Sequence, residues 1–329
     1  MKKRTASLIM VLILTLCFSA CGSKNGTTAA DEEKIRVVAT IFPEYDWVMN
    51  ILGENPSNVE VTMLLDKGVD LHSYQPTADD ILKISDCDLF IYVGGESDAW
   101  VNDALKEATN KEKVVVDLLD ELGDLAREEE VVEGMQEECS DDPDAAEEEP
   151  EYDEHVWLSL RNAAVFTESI SEALQSLDPE HAGIYQSNTE TYLEKLNALD
   201  EEYAAAVQNA GFHTLLFGDR FPFRYLVDDY GLDYYAAFVG CSAETDASFE
   251  TITFLAEKLD ELGLPAILTI EGSDQRIAQT IVQVTESKDQ KILTLDSMQS
   301  TTARDAENGA TYLSGMEKNL SVLEEALNG

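Results

Sequence analysis

The chain is short of positive charge, of histidine and of locally paired cysteine, and each shortage removes a class of function. Against 66 Asp and Glu side chains there are only 22 Lys and Arg in 329 residues, a formal charge of −44. A surface of that sign repels phosphate backbones and anionic lipid headgroups, which excludes nucleic-acid binding and favours the capture of cations. Five cysteines fall at positions 17, 21, 87, 139 and 241 with no CxxC spacing. Neither a zinc knuckle nor a redox pair is indicated. Cys87 and Cys241 read as core-lining thiols, and Cys139 as an exposed one without a role. Four histidines are present, His72, His155, His181 and His213, and no two stand at a local spacing such as HExxH. Any metal site has to be assembled by the fold from distant segments. A general base beside a ligand motif is also missing, which weighs against a zinc-dependent hydrolase, the rival reading from another class.

What is present begins with an export pattern. Lys2, Lys3 and Arg4 precede an apolar run from Ala6 to Phe18, followed by the small residues Ser19 and Ala20. Residues 1–20 read as a signal peptide, because the apolar run is too short to span a membrane comfortably. Ser19-Ala20-Cys21-Gly22 resembles a bacterial lipobox, with Phe18 where leucine is usual, so Cys21 is expected to carry lipid. An ordinary cleaved signal with an incidental cysteine is the alternative. Residues 21–33 are polar and read as a lipidated flexible tether.

From Ile35 onward β-branched runs alternate with helical spacing. The runs at 35–41, 59–65, 88–93 and 114–119 predict four buried strands, and those at 213–217, 233–238, 266–270 and 291–295 predict four more. A long helical zone, broken at Asp178-Pro179, separates the two sets. The expected fold is α/β: two lobes, each a four-stranded parallel sheet flanked by helices, joined by a long connecting helix. The lobes are placed at 34–160 and 211–329, with connecting helices at 161–210. Within the first lobe, residues 128–154 hold fifteen Asp or Glu and no Lys or Arg, and they predict a disordered acidic loop. Ligands of parallel α/β sheets bind beyond the carboxyl ends of the strands. His72, Asp219, Glu271 and Asp296 fall there, so a metal site between the lobes is a candidate.

Four segments carry a resemblance. "GVDLHSYQPTADDILKISDCDLFIYVGG" (68–95), "DEHVWLSLRNA" (153–163), "PEHAGIYQSNTETYLEKLNALDEEY" (179–203) and "ILTLDSM" (292–298) occur in one order. In that order they resemble the zinc and manganese ABC-transporter solute-binding proteins. The resemblance implies a binding protein rather than an enzyme. It implies His72, His155 and Asp296 as metal ligands, and His181 and His213 as structural residues. The remaining ligand of that family, a histidine or glutamate, falls on Arg220, which stays protonated and cannot coordinate a cation. The neighbouring Asp219 is the expected substitute, against an open position completed by water or Glu271. The cargo implied is Zn2+, alternatively Mn2+, since two imidazoles and two carboxylates suit both. The implied partners are an ABC permease and its ATPase. The expected setting is extracytoplasmic, as a monomer anchored to the cell membrane by its lipid. A surface adhesin is a further possibility, because lipoproteins of this family have been so described.

Overall fold

The computed structural model describes residues 34–54, 58–135, 151–242 and 246–329. The segments expected to be signal and tether, with Cys21, lie outside them, as does the middle of the acidic run with Cys139.

Two four-stranded sheets, all parallel, organise the chain. The first comprises β1 (Ile35–Ala39), β2 (Val59–Met63), β3 (Leu89–Tyr92) and β4 (Val114–Asp117), in the order β2-β1-β3-β4. The second comprises β5 (Thr214–Phe221), β6 (Asp233–Val239), β7 (Ala266–Ile270) and β8 (Lys291–Leu295), in the order β6-β5-β7-β8. The strands read as apolar runs because helices cover both faces of a parallel sheet and leave no side for water. In each sheet the direction of winding reverses beside the first strand, so the crevice at that reversal opens at the strands' carboxyl ends.

Helices α1 (Phe42–Leu52), α2 (Ala78–Asp86), α3 (Val101–Lys106) and α4 (Leu118–Leu122) belong to the first sheet. Then come α5 (Leu160–Leu177) and α6 (Ala182–Gln208), and the second sheet carries α7 (Arg224–Tyr230), α8 (Phe249–Leu262), α9 (Arg276–Val284), α10 (Ala303–Glu307) and α11 (Tyr312–Asn328). Local chemistry sets several starts. Thr77 and Asp80 close a reciprocal capping box on α2, and Ser159 Oγ accepts from the Asn162 amide at the head of α5. Helix α6 buries Tyr185, Thr189, Tyr192, Leu196, Leu199, Tyr203 and Val207, residues three or four apart along one stripe. One apolar cluster runs through both sheets and includes Phe90, Trp157, Leu196, Phe217 and Leu268.

Two expectations need correction. β5 does not stop at Phe217. It slips register between Phe217 and Arg220 and pairs on to Phe221, because β6 continues beside it to Val239. Asp219 therefore sits inside the strand. The acidic run is also not loose over its whole expected length of 128–154. Glu128 bridges Tyr152 in antiparallel fashion, the Glu129 amide donates to the Glu151 carbonyl at 2.8 Å, and the Asp153 amide to the Arg127 carbonyl at 2.8 Å. Arg224 pairs with Glu130 at 2.6 Å, and Arg127 with Asp228 at 3.2 Å. Backbone pairing and two arginines thus hold 128–135 and 151–154, where charge density alone predicts self-repulsion.

Candidate metal centre

His72 lies in a 3-10 turn, Leu71–Ser73, beyond the end of β2. Buried Leu71 anchors the turn, and Asp70 Oδ1 accepts from the His72 amide at 3.0 Å. The ring Nδ1 is 2.8 Å from Ser97 Oγ and 3.3 Å from Glu154 Oε2. Glu154 Oε1 in turn accepts from the Ser97 amide at 2.8 Å. The backbone at the end of β3 must be glycine for this carboxylate to fit. Gly95 has φ +78°, and a Cβ there would stand against Glu154 Oε1.

His155 follows the acidic run and is fully buried. Asp153 Oδ1 takes both its amide, at 2.8 Å, and its Nδ1, at 3.0 Å. The short turn after it, Val156–Leu158, is tied to the second lobe: Trp157 Nε1 donates to the Ser297 carbonyl at 2.8 Å, and Tyr312 Oη donates to the Trp157 carbonyl at 2.7 Å. Tyr225 Oη donates to the Asp153 carbonyl at 3.0 Å and accepts from the Arg127 amide.

These supports leave Nε2 of His72 and Nε2 of His155 facing each other at 3.1 Å. His155 Nδ1 faces Asp153 and His72 Nδ1 faces Ser97 Oγ and Glu154, and the tautomer with its proton on Nδ1 leaves both Nε2 lone pairs directed at one point. Two lone pairs at that separation repel unless a cation or proton lies between them. Two nitrogens about 2.0–2.1 Å from one tetrahedral ion stand about 3.3 Å apart, close to what is seen. A carboxylate behind each imidazole is also the support that fixes a metal-binding histidine's tautomer and raises its basicity.

Burial raises the Glu154 pKa, but hydrogen bonds from His72 and Ser97 outweigh it and hold the carboxyl below the usual range. Glu154 is thus an anion at neutral pH. Nearby, burial pushes Asp98 up to about 7, and the charge of Glu154 adds to this against the amides of Gly94 and Val93.

Among the described residues, a third metal-binding side chain reaches this pair. A ring nitrogen of each histidine and Sγ of Cys241 lie within 4.8 Å of one another. Cys241 is free and partly buried, and follows Gly240 at the end of β6. Gly240 packs so closely on His155 that a Cβ there would meet the ring Cε1 at 2.9 Å. The Cys241 amide donates to Glu129 Oε1 at 3.2 Å. Burial pushes the thiol pKa up, and the carboxylates of Glu129, Asp153 and Glu154 push it further. The reading of Cys241 as a core-lining thiol misses this placement. The rule that singled out the strand ends points to it as well, once sulfur is counted as a donor.

Among the described residues, the expected carboxylates are not part of this close group of three. Asp219 Oδ1 accepts from the Arg220 amide at 2.9 Å, and Asp219 and Glu271 line a separate cavity of about 470 Å³. Glu271 accepts from the Ser297 amide at 2.7 Å and from its Oγ at 2.6 Å, which ties the end of β7 to that of β8. Asp296 Oδ1 accepts from the Met298 amide at 2.8 Å, while its own amide donates to Asn319 Oδ1 at 2.8 Å. Each accepts hydrogen bonds within its own loop. Arg220 Nη2 reaches Asp70 Oδ2 at 2.7 Å, so the side chain standing where a ligand was sought braces the turn that carries His72. His181 caps with Asp178 away from the site, at 2.8 Å.

Comparison with known proteins gives one consistent picture. The family described as zinc-uptake complex component A, periplasmic (ZnuA), matches residues 37–326. The zinc-binding lipoprotein AdcA of Streptococcus pneumoniae serotype 4 is 31% identical over 97% of this chain and 60% of its own length. The chain therefore spans about three fifths of that relative. The metal ABC transporter substrate-binding lipoprotein ScbA of Streptococcus cristatus is 27% identical over 99% of both chains. Among solved structures, the Zn(II)-bound ZnuA-like domain of Streptococcus pneumoniae AdcA superposes with a TM-score of 0.69 at 26% identity, over 90% of this chain and all of that one.

Proposed function

The chain belongs to the zinc-uptake complex component A family, and from that premise we propose that it is the extracytoplasmic receptor of an ABC importer. It takes a divalent transition-metal ion, Zn2+, as cargo and passes it to a membrane permease driven by a partner ATPase. The observation that carries this reading is the pair of Nε2 atoms 3.1 Å apart, each imidazole backed by a carboxylate. His72 and His155 are the proposed imidazole ligands. Asp296, Asp219 and Glu271, each hydrogen-bonded within its own loop, stay candidates for the remaining coordination position. The names of the zinc-binding AdcA relatives and the nitrogen donors favour Zn2+ over Mn2+. The family is one of transport components, and an enzymatic role has no support.

Relatives named as lipoproteins support a place at the outer face of the cell membrane, held by lipid on Cys21. In binding, Zn2+ and protons compete for the same Nε2 lone pairs, so affinity falls as pH falls. Calorimetric titration of the chelator-stripped protein tests the reading. Wild type binds one Zn2+, and the double variant His72→Ala, His155→Ala binds none with comparable affinity. Undiminished affinity in that variant removes the proposal.

A further inference from the structure

We propose that Cys241 is a ligand of the transported ion, through its thiolate, so that the site is built from two imidazoles and one sulfur. This inference rests on the receptor reading and deepens it by naming the donor that sets metal preference.

The geometry assigns the role to the end of β6 rather than of β5. The β5 segment supplies Asp219, engaged with backbone amides, and Arg220, engaged with Asp70. One strand over, Sγ of Cys241 stands within 4.8 Å of a ring nitrogen of each histidine. A zinc ion about 2.3 Å from sulfur and 2.0–2.1 Å from nitrogen places S and N about 3.6 Å apart at tetrahedral angles, so a modest side-chain rotation closes the site. The backbone is arranged to allow this. Glycine at 240 lets β6 end directly against the His155 ring, and Glu129 holds the Cys241 amide. Beside His72 and Cys241 lies a cavity of about 260 Å³, lined also by Glu96, Glu129, Glu151 and Glu154. Its acidic wall concentrates cations where the donors converge.

On binding, the S–H bond is exchanged for a metal–sulfur bond and the proton leaves to solvent. A thiolate beside two imidazoles suits Zn2+ and disfavours Mn2+, which prefers oxygen donors. The chain would thus recover, from a different strand, the preference for zinc that an arginine at position 220 cannot provide.

The experiment titrates the reduced, chelator-stripped full chain with Co2+, a spectroscopic stand-in for zinc, and with Zn2+ in competition. Wild type is expected to show visible ligand-field bands of a low-coordinate site together with a near-ultraviolet thiolate-to-cobalt charge-transfer band. Cys241→Ser is expected to lose the charge-transfer band, to keep the ligand-field bands, and to bind Zn2+ at least about tenfold more weakly. The triple variant Cys17→Ser, Cys21→Ser, Cys139→Ser leaves only Cys241 and the buried Cys87, and is expected to keep the band, which covers misfolding of the first variant. Wild type that binds both metals without a charge-transfer band overturns the role of Cys241 and leaves the receptor reading standing. So does a band that survives Cys241→Ser. Wild type that binds neither metal overturns the receptor reading, and this inference with it.

Discussion

At the scale of single residues, the site depends on what stands behind each imidazole as much as on the imidazoles. Asp153 and Glu154 are neighbours in sequence and both buried, yet they serve different rings: Asp153 meets Nδ1 of His155, and Glu154 faces Nδ1 of His72. One dipeptide thus supports two ligands from different parts of the chain. Glu154→Gln keeps the shape and removes the charge that makes His72 Nε2 a better donor. Zinc affinity, measured by competition with a fluorescent chelator, is expected to fall by about 10–100-fold. An unchanged affinity shows that Glu154 is only packing.

At the scale of elements, the termini of helices join the lobes through buried polar contacts. Asp46, on α1, accepts from the Tyr312 amide at the head of α11 at 3.0 Å and from Asn50 Nδ2 at 3.1 Å. Burial nonetheless pushes its pKa up to about 6, against hydrogen bonds from Tyr312, Tyr192 and Asn50. A carboxyl raised in the fold binds more protons folded than unfolded between its ordinary value of about 4 and about 6, so its contribution to stability is lost as pH rises across that window. Asp46→Asn removes that dependence. Chemical denaturation of the metal-free proteins is expected to show the variant gaining up to about 3 kcal/mol on wild type between about pH 4 and pH 7. A stability difference that does not move with pH contradicts the assignment.

At the scale of the whole molecule, one apolar core passes from the first sheet to the second, and α6 contributes Tyr192, Leu196, Leu199 and Tyr203 to it. A helix of 27 residues is about 40 Å long and does not bend without losing backbone hydrogen bonds. Opening a wide cleft would expose that shared core at a cost of about 25 cal/mol for each Å². Capture of metal is therefore expected to work by local adjustment at the turns bearing His72 and Cys241. Small-angle scattering with and without Zn2+ is expected to give the same radius of gyration within error. A large contraction on binding would show that the lobes swing.

Much of this architecture was legible in the sequence because its causes are local or periodic. Apolar runs predicted all eight strands, with two of them, Ala266–Ile270 and Lys291–Leu295, bounded as observed. Motif order pointed to His72 and His155, which the fold brings face to face from positions 83 residues apart. Tertiary structure alone decided the rest. Charge density along residues 128–154 could not reveal that Arg127 and Arg224 hold one end of the run, because attraction across space leaves no periodic mark. The strand-end rule, applied to imidazoles and carboxylates alone, picked Asp219 and passed over the sulfur of Cys241. Only the fold, with a register slip within β5 and a glycine at the end of β6, shows which donors stand near the imidazoles. Composition and periodicity specify which residues are buried; which buried donors converge on one point depends on the angles at which separate strands end.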